Sequence, residues 1–372
     1  MRILLLSAYD AHSHRYWHQG LIKHCDDHDF TLMTLPPRYF SWRIRGNSMS
    51  WAFGKDRALL TQPYDLVIAT SMTDLASLRG FLPELASTPT LLYFHENQFA
   101  YPETNNAHAS VEPMMVTLYA ALAADHLAFN TDYNRHTFLT GVDRLLHKLP
   151  DHVPVNLVEQ LRQKSSVIPV PLPAHCFTSH REHNNQGALR MVWNHRWEYD
   201  KGPDLLLAVL NTLESMRVDY IIDIVGQQFR QQPSAFKVIK DKFAHRIDRY
   251  GYLTHADAYR QCLNQADVVL STADHDFQGI AVLEGVAAGA IPVVPNRLAY
   301  PELLDTTYCY TGTTQKEEAK AAAIRIAELA QLKQSKQLPT APDISHLSWD
   351  QIQHKYCSLI ADLTAIKKHL HQ

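Results

Sequence analysis

The stretch LRMVWNHRWEYDKGPDLLLAVL (residues 189–210) joins a short apolar run to an amphipathic run through a polar turn. The apolar run predicts a β-strand, and the Gly-Pro-Asp sequence before the amphipathic run predicts a helix start. Arg196 and Lys201 lie in the turn, beyond the carboxyl end of the strand, where open α/β sheets bind ligands. Two cations beside a helix N-terminus suit a diphosphate, because arginine offers a planar fork and lysine a point charge. The alternative is a pair of solvated loop charges.

Short apolar runs alternate with longer helix-like segments along the whole chain. This alternation predicts an α/β fold in which helices cover both faces of parallel sheets. The runs form two series, so we expect two doubly wound domains that share one cleft. The predicted strands are residues 2–8, 29–35, 65–70, 90–95, 126–130 and 166–170 in the first series, and 189–194, 219–226, 249–253, 266–272 and 290–295 in the second.

The domain boundaries follow from a change in composition. Residues 169–187 are polar and contain prolines, histidines and asparagines, which is typical of a linker. We therefore expect an N-terminal domain at residues 1–172 and a C-terminal domain at residues 188–348. The last segment, residues 349–372, predicts a long helix that packs back on the first domain.

The composition excludes several classes of protein. Of the 372 residues 46% are hydrophobic, which is ample for two cores, and the formal net charge is -3. No overall field therefore draws the chain to nucleic acid or to an anionic membrane, and no apolar run reaches the about 18 residues of a membrane span. Five cysteines without a CxxC pair and 22 histidines without metal-ligand spacing predict buried thiols and no metal site. We expect a cytoplasmic globular protein.

Glycine-rich phosphate loops are missing from both series of strands. The turn after the first strand is SAYDAHSH (residues 7–14), and neither this turn nor the one at residues 193–202 contains GxGxxG. A Walker-type GxxxxGK[ST] motif is also absent from the sequence. We therefore expect phosphate to be held by side chains as well as by backbone amides.

A second polar cluster follows the predicted strand at residues 266–272. Asp276 lies in an acidic loop, and Glu284 lies eight residues later on an otherwise apolar helix that begins near Gly279. A carboxylate on such a helix needs partners, because burying an unpaired charge is expensive. Sugar or ribose hydroxyls would serve, and the amides of Phe277, Gln278 and Gly279 would suit a phosphate or sugar oxygen. The alternative is a structural salt bridge.

Together the two clusters resemble the donor site of glycosyltransferase family 4, whose members have the GT-B fold of two facing Rossmann-like domains. The resemblance implies that Arg196 and Lys201 bind the nucleotide diphosphate, that Asp276 meets the transferred sugar and that Glu284 holds the ribose. The family usually has glutamate at the first acidic position, whereas this chain has aspartate.

Four stretches of this chain resemble the tRNA-queuosine mannosyltransferase family. They are YFHENQFAYP (93–102), LPPRYFSWRIRG (35–46), KLPDHVP (148–154) and PNRLAYPELL (295–304). The resemblance implies that the enzyme transfers mannose, with retention, from GDP-mannose to the cyclopentene-diol of queuosine in the anticodon of tRNA(Asp). Ser13 and His14 match the family after the first strand, but DAHSH replaces the expected glycine pair.

The resemblance assigns roles to both predicted domains, with the acceptor on the first and the nucleotide sugar on the second. His95 joins Arg196, Lys201 and Asp276 as a catalytic residue. The donor-binding residues are Ser13, His14, Arg196, Lys201, Phe277, Gln278, Gly279, Ile280 and Glu284. The acceptor-binding residues are Arg38, Trp42, Arg43, Arg45, Glu96, Asn97 and Gln98. No cofactor and no metal are expected besides the donor.

The segment at residues 36–57 carries the expectation of RNA binding. It interleaves five cations with five aromatic residues, and Asp56 is its one acidic residue. Cations can contact phosphates and flat rings can stack on unpaired bases, as an anticodon loop requires. An ordinary helix with its aromatic residues inward is the alternative. Two other functions stay open: a family 4 enzyme with a lipid, glycan or small-molecule acceptor, and a catalytically silent nucleotide-sugar or RNA-binding protein.

Overall fold

The computed structural model describes residues 1–101, 110–177 and 187–370, with side chains up to residue 365. The chain forms two compact units, one made of Met1–Pro171 with Trp349–Gln372 and the other of Leu172–Ser348. Residues 178–186, about half of the predicted linker, lie outside the described residues.

The first unit is built on a six-stranded parallel sheet with the order β2-β1-β3-β4-β5-β6. Its central strands are buried on both faces, which explains their continuous apolar sequences. The strands are β1 (Arg2–Ser7), β2 (Asp29–Thr34), β3 (Leu66–Thr70), β4 (Thr90–Phe94), β5 (His126–Phe129) and β6 (Ser165–Val167). The helices are α1 (His12–His24), α2 (Phe40–Ala52), α3 (Arg57–Leu60), α4 (Leu75–Phe81), α5 (Glu112–Ala123), α6 (Asp132–Leu146) and α7 (Leu157–Gln163).

The second unit has a sheet of the same kind, with the order β12-β11-β10-β7-β8-β9. Its strands are β7 (Leu189–Trp193), β8 (Tyr220–Val225), β9 (Ile247–Gly251), β10 (Val268–Leu270), β11 (Ile291–Pro295) and β12 (Cys309–Tyr310). Its helices are α8 (Pro203–Ser215), α9 (Ser234–Lys242), α10 (Ala256–Gln265), α11 (Ile280–Ala287), α12 (Tyr300–Leu303) and α13 (Gln315–Gln334). The α/β prediction of two doubly wound parallel sheets is confirmed.

The last helix, α14 (Trp349–Leu370), packs on the first unit as predicted. Tyr356 lies at the centre of the contact, where its hydroxyl accepts a hydrogen bond of 3.0 Å from the Trp17 indole. The same hydroxyl lies 3.0 Å from the Tyr93 hydroxyl and 3.1 Å from the Pro169 carbonyl, either of which can accept its proton. The rings of Trp17 and Tyr93 are stacked at 4.3 Å, so α14 closes an aromatic cluster on the sheet.

One glycine allows the two loops of the second unit to meet. Gly202 has a left-handed backbone (φ 63°), and a Cβ atom there would lie 1.9 Å from the Thr272 carbonyl oxygen. Only glycine combines this backbone with so close an approach. The turn after β7 therefore lies directly against the loop after β10, and both are at the carboxyl edge of the sheet.

Among the helices of the described residues, none combines the length and apolar character that crossing a bilayer requires.

Candidate active site

Lys201 connects the two polar clusters that the sequence singles out in the second half. The side chain is buried, and its Nζ donates to the His275 carbonyl at 2.7 Å. The same Nζ lies 3.3 Å from Asp200 Oδ2 and 3.5 Å from Asp276 Oδ2. The predicted cation and the predicted acidic loop are therefore brought together by the fold.

Arg196 lies on the same turn but is more accessible. Half of its side chain is exposed, and its Nη1 lies 2.6 Å from Glu198 Oε2. Its Nη2 lies 4.0 Å from Asp200 Oδ2. Asp200 thus lies within ion-pair distance of both predicted diphosphate-binding cations and helps to position them.

Asp276 is held in place before α11. Its Oδ1 accepts a hydrogen bond of 2.9 Å from the Gly279 amide, and its Oδ2 is 3.4 Å from the Tyr300 hydroxyl. Burial alone would raise the pKa of Asp276, but the charge of Lys201 and the hydrogen bond from the Gly279 amide act in the opposite direction, and the pKa is lowered. The carboxylate therefore stays ionised at neutral pH.

The structure qualifies the expectation that three amides near this helix start would face a ligand. The Gly279 amide is engaged by Asp276, so it serves to fix the carboxylate. Phe277 and Gln278 are buried, and Ile280 is partly buried at the first position of α11. The short loop is thus shaped by its own contacts.

Glu284 has a protein partner on the neighbouring helix α10. Its Oε2 accepts a hydrogen bond of 2.8 Å from the Tyr259 hydroxyl. Asn194 donates to that hydroxyl at 3.0 Å and to the Ala281 carbonyl at 2.7 Å. Burial raises the pKa of Glu284 to about 7, although the Tyr259 hydrogen bond works in the opposite direction. The carboxyl group is therefore poised to be either a donor or an acceptor near neutral pH.

A chain of buried polar groups leads from β7 to Asp276. His195 Nε2 lies 3.0 Å from Ser271 Oγ, which lies 2.8 Å from the Tyr300 hydroxyl. Burial lowers the pKa of His195 to about 4, and the Lys201 charge contributes to the shift. The His195 imidazole is therefore neutral. The series of hydrogen bonds from His195 through Ser271 orients the Tyr300 hydroxyl towards Asp276.

The first unit has its own polar cluster at the carboxyl edge of its sheet. His14 Nε2 lies 3.1 Å from Glu96 Oε2, and the rings of His14 and His95 are stacked at 4.2 Å. Burial lowers the pKa of His95 well below its usual value, and the charges of His14 and His18 add to this effect. Its Nε2 is buried and has no hydrogen-bond partner among the described residues. Three predicted residues, His14, His95 and Glu96, are thus in one group.

Asp10 shapes the turn in which the family's glycine pair is missing. Its Oδ1 accepts hydrogen bonds from Ser7 Oγ at 3.1 Å and lies 3.0 Å from His18 Nε2. Arg15 Nε lies 3.3 Å from Oδ2. Ser13 follows in the first turn of α1 and is partly buried. The hydrogen bonds of the Asp10 side chain therefore stabilise the turn at residues 7–14, which has no glycine.

The structure gives Asn97 a different role from the predicted acceptor contact. The residue is fully buried, and its Nδ2 donates to Asn134 Oδ1 at 2.8 Å. Its Oδ1 accepts from the amides of Phe99 and Ala100. These hydrogen bonds fix the conformation of the loop around Asn97. Gln98 is partly buried, and its Nε2 lies 3.4 Å from Met72 Sδ.

The predicted RNA-binding segment forms α2 and its flanking turns, and its aromatic residues are divided between core and surface. Trp51 is buried, which agrees with an ordinary helix whose aromatic residues face inward. Tyr39, Trp42 and Phe53 are 72%, 50% and 67% exposed, as the RNA-binding prediction requires of rings that stack on bases. Exposed rings of this kind are available for stacking on unpaired bases.

The cations of this segment also differ from one another. Arg38 lies over the ring of Tyr39, with 5.6 Å from Cζ to the ring centroid. Arg45 Nη1 lies 3.1 Å from Asp74 Oδ2, while Arg43 is buried. These residues therefore do not form one uniform band of solvated charge.

Comparison with known proteins decides the family. Residues 2–172 match the family described as tRNA-queuosine alpha-mannosyltransferase N-terminal, and residues 178–339 match glycosyl transferases group 1. The tRNA-queuosine alpha-mannosyltransferase of Drosophila melanogaster is 31% identical over 311 residues, which cover 81% of this chain and 81% of that protein. The chain belongs to the tRNA-queuosine alpha-mannosyltransferase family.

The fold is shared with more distant glycosyltransferases. Sucrose-phosphate synthase from Thermosynechococcus elongatus superimposes with a TM-score of 0.70 at 12% identity, covering 98% of this chain and 100% of that one. HepE from Anabaena, solved in complex with UDP, gives a TM-score of 0.62 at 15% identity and covers 97% of this chain and 100% of that one. At such identities the likeness supports the GT-B fold alone. The family matches show that this member of the tRNA-queuosine alpha-mannosyltransferase family is a glycosyltransferase.

Several residues of the polar clusters in this family member are not apparent from its sequence. Tyr259, Ser271 and Tyr300 come from three separate segments, and only the fold brings them to Glu284 and Asp276. A signal existed for Tyr300, which lies in the family-like stretch PNRLAYPELL (295–304). Across the described ranges, no group of three histidines, cysteines or carboxylates has a geometry that could hold a metal ion.

Proposed function

We propose that this enzyme transfers mannose from GDP-mannose to the cyclopentene-diol of queuosine in the anticodon of tRNA(Asp), with retention of configuration. The relative from Drosophila melanogaster, a tRNA-queuosine alpha-mannosyltransferase, supports the acceptor and the sugar. The observation that carries the proposal is the position of Lys201, whose buried Nζ lies between Asp200 and Asp276 at the carboxyl edge of the second sheet.

The donor's diphosphate is assigned to Arg196 and Lys201. The guanidinium is half exposed and can offer a fork of donors to two phosphate oxygens. Lys201 adds a fixed positive charge that stabilises the diphosphate as negative charge builds up on it. The two cations do the work that a divalent metal does in other transferases, so no metal is needed in this proposal.

The ribose is assigned to Glu284. Its carboxyl group is fixed by Tyr259 at 2.8 Å and keeps one oxygen for a hydroxyl of the donor. Burial raises its pKa to about 7, so a ribose hydroxyl that donates to the charged form stabilises that form. Glu284 therefore contributes to donor affinity more than to the chemical step.

The chemical step exchanges one bond at the anomeric carbon. The bond from that carbon to the diphosphate oxygen breaks, and a bond to a queuosine hydroxyl oxygen forms on the same face. The hydroxyl proton passes to the departing diphosphate oxygen, which the two cations stabilise. Asp276 is ionised and offers its charge to the developing oxocarbenium ion. His95 is assigned to the sugar as a neutral imidazole.

The acceptor is assigned to the first unit, where α2 exposes Trp42 and Tyr39 beside Arg38 and Arg45. Glu96 lies at the carboxyl edge of the same sheet, held by His14 at 3.1 Å and by a hydrogen bond from Ser71 Oγ to its carbonyl. Exposed rings and cations match the unstacked bases and phosphates of a tRNA loop.

The direct test incubates the enzyme with GDP-mannose, UDP-galactose or UDP-glucose and with tRNA from queuosine-containing or queuosine-deficient cells. Nucleoside mass spectrometry should show a hexose on queuosine with GDP-mannose only, and NMR of the product should show the α-anomer. The reaction should proceed in the presence of a chelator. Equal transfer to queuosine-deficient tRNA would refute the acceptor, and transfer from a uridine donor alone would refute the nucleotide.

A further inference from the structure

Arg43 is a buried arginine whose Nε has no hydrogen-bond partner in the part of the chain that the structure describes. The residue is only 8% exposed, and its Nε is enclosed with no hydrogen-bond acceptor. Within residues 1–101, 110–177 and 187–365, no ion pair or hydrogen bond engages its guanidinium. Its two terminal nitrogens are not among the enclosed atoms, so the guanidinium is held by the fold with donors left for an acceptor that a ligand brings.

The other arginines of the segment have partners. Arg45 pairs with Asp74 at 3.1 Å, and Arg57 Nη1 donates to the Ala52 carbonyl at 2.8 Å. Asp74, the nearby buried carboxylate, also caps α4 by accepting from the Ser77 amide at 3.2 Å. The fold thus supplies acceptors to the neighbouring cations, while the described residues supply none to the Arg43 guanidinium.

The position of Arg43 on α2 is fixed through Asn47, one turn further along. Asn47 Nδ2 donates to the Arg43 carbonyl at 2.9 Å and to the Met72 carbonyl at 3.1 Å. Residues four apart lie on the same helix face, so Arg43 lies on the face that meets the loop after β3. That loop is at the carboxyl edge of the sheet, where parallel sheets bind ligands.

Other buried polar groups at this edge also lack partners in the described part of the chain. The hydroxyls of Thr70 and Thr73 are enclosed and unbonded, and so is Nε2 of His95 at the end of the adjacent strand. Native proteins satisfy nearly all buried polar groups, so an exception calls for an explanation such as a catalytic role or a bound water, ion or ligand. The edge is therefore suited to a polar ligand that brings acceptors.

The shape and charge of the neighbouring surface identify the class of ligand. A guanidinium fork matches phosphate oxygens, and the indole of Trp42, the preceding residue, is half exposed. An aromatic face beside a phosphate-binding cation is the arrangement that recognises a nucleotide of a single strand. We propose that Arg43 binds one phosphodiester of the acceptor RNA, whose adjacent base stacks on Trp42. The proposal rests on the proposed function, because it takes tRNA as the acceptor.

The test compares Arg43→Met with Arg144→Met in the full-length enzyme. Methionine keeps much of the buried stem and removes the charge, and Arg144 is an exposed arginine on α6 that serves as the matched control. We expect Arg43→Met to weaken tRNA binding by about tenfold to a hundredfold, as loss of a charged hydrogen bond does. Arg144→Met should bind like wild type in fluorescence anisotropy titrations.

Two further measurements separate this role from others. The melting temperature of Arg43→Met without RNA should stay close to that of wild type, because the described residues give the guanidinium no hydrogen bond or ion pair to lose. In an anticodon stem-loop scanned with single methylphosphonates, one position should weaken wild-type binding and leave Arg43→Met unaffected. That coupling assigns the phosphate to the arginine.

Each result decides the question. Equal tRNA affinity of wild type and Arg43→Met overturns the inference and leaves the proposed function intact. A large fall in melting temperature also overturns it, since the guanidinium would then stabilise the fold. Wild-type enzyme that binds no tRNA overturns the proposed acceptor and this inference together.

Discussion

Lys201 and Arg196 are neighbours on one turn, yet their surroundings predict different consequences of mutation. Lys201 is buried between two carboxylates, so its removal leaves Asp200 and Asp276 without their shared cation. Arg196 is half exposed and can be removed without such a penalty. Arg196 is therefore the better probe of catalysis, and Lys201 couples catalysis to the integrity of the loop.

We expect Arg196→Ala to lower kcat/KM by about a hundredfold, or about 3 kcal/mol, as removal of a fixed charge-stabilising group does in other enzymes. The melting temperature should stay unchanged because the side chain is half exposed. Arg217→Ala, an exposed arginine beyond the end of α8, is the control and should keep wild-type kinetics. A change of only a few-fold for Arg196→Ala would contradict the diphosphate assignment.

The raised pKa of Glu284 leads us to expect a pH-dependent free energy of unfolding. The native state keeps the carboxyl proton up to a pKa of about 7, whereas the ordinary value is 4.5. Between these values the native state binds more protons than the unfolded chain, so the free energy of unfolding falls as pH rises. Glu284→Gln removes this dependence and can still accept from Tyr259.

Denaturant unfolding of the enzyme without donor at pH 4.5 and pH 8 therefore tests Glu284. The stability of wild type relative to Glu284→Gln should fall by up to about 3 kcal/mol between the two pH values, from the size of the pKa shift. The exposed Glu84→Gln should show no such difference from wild type. Parallel pH profiles of wild type and Glu284→Gln would disprove the buried-acid assignment.

At the scale of the element, α2 presents Trp42 as a platform because of one glycine. A Cβ atom at Gly46 would lie 2.4 Å from the Trp42 indole, so the ring lies flat over the glycine one turn later. The helix backbone at this position is ordinary, which means that the need for glycine comes from the ring above it. The exposed face of Trp42 is consequently held in one orientation.

Gly46→Ala should displace the indole and weaken tRNA binding by about fivefold or more, since stacking of one base contributes on the order of 1 to 3 kcal/mol. Net charge is unchanged, so the salt dependence of binding should stay as in wild type. Gly80→Ala on α4, where nothing lies near an added Cβ, is the matched control. Binding titrations at several salt concentrations measure both quantities, and unaltered affinity in Gly46→Ala would remove the stacking role.

For the whole molecule, the last helix is part of the first unit although it is distant in sequence. The Tyr356 hydroxyl of α14 accepts a hydrogen bond from the indole N–H of Trp17, and Trp17 is fully buried. Tyr356→Phe leaves that N–H without an acceptor, and such a loss costs about 1 to 3 kcal/mol. We expect a lower free energy of unfolding in urea, with the exposed Tyr119→Phe unchanged. An equally stable Tyr356→Phe would mean that the hydrogen bond between Trp17 and Tyr356 contributes little to the stability of the first unit.

The sequence by itself determined the two sheets, because buried parallel strands are continuous apolar runs whose pattern survives without tertiary information. It also determined α14, whose predicted and observed bounds begin at Trp349. The strand β12 (Cys309–Tyr310) escaped prediction, since two residues cannot show a period. The proximity of Lys201 and Asp276 was predicted by family resemblance, and the structure supplied its geometry.

Only the tertiary structure decided which polar residues are satisfied. Arg43 and Arg45 are two residues apart in one basic segment, but the fold gives Arg45 a carboxylate, whereas none of the described residues pairs with the buried Arg43. Asn97 belongs to a motif expected to contact the acceptor, but Asn134 encloses it in the loop. Whether a polar side chain finds a hydrogen-bond or ion-pair partner depends on residues that are distant in sequence and that the sheets bring together. The local sequence pattern does not show which residues those are.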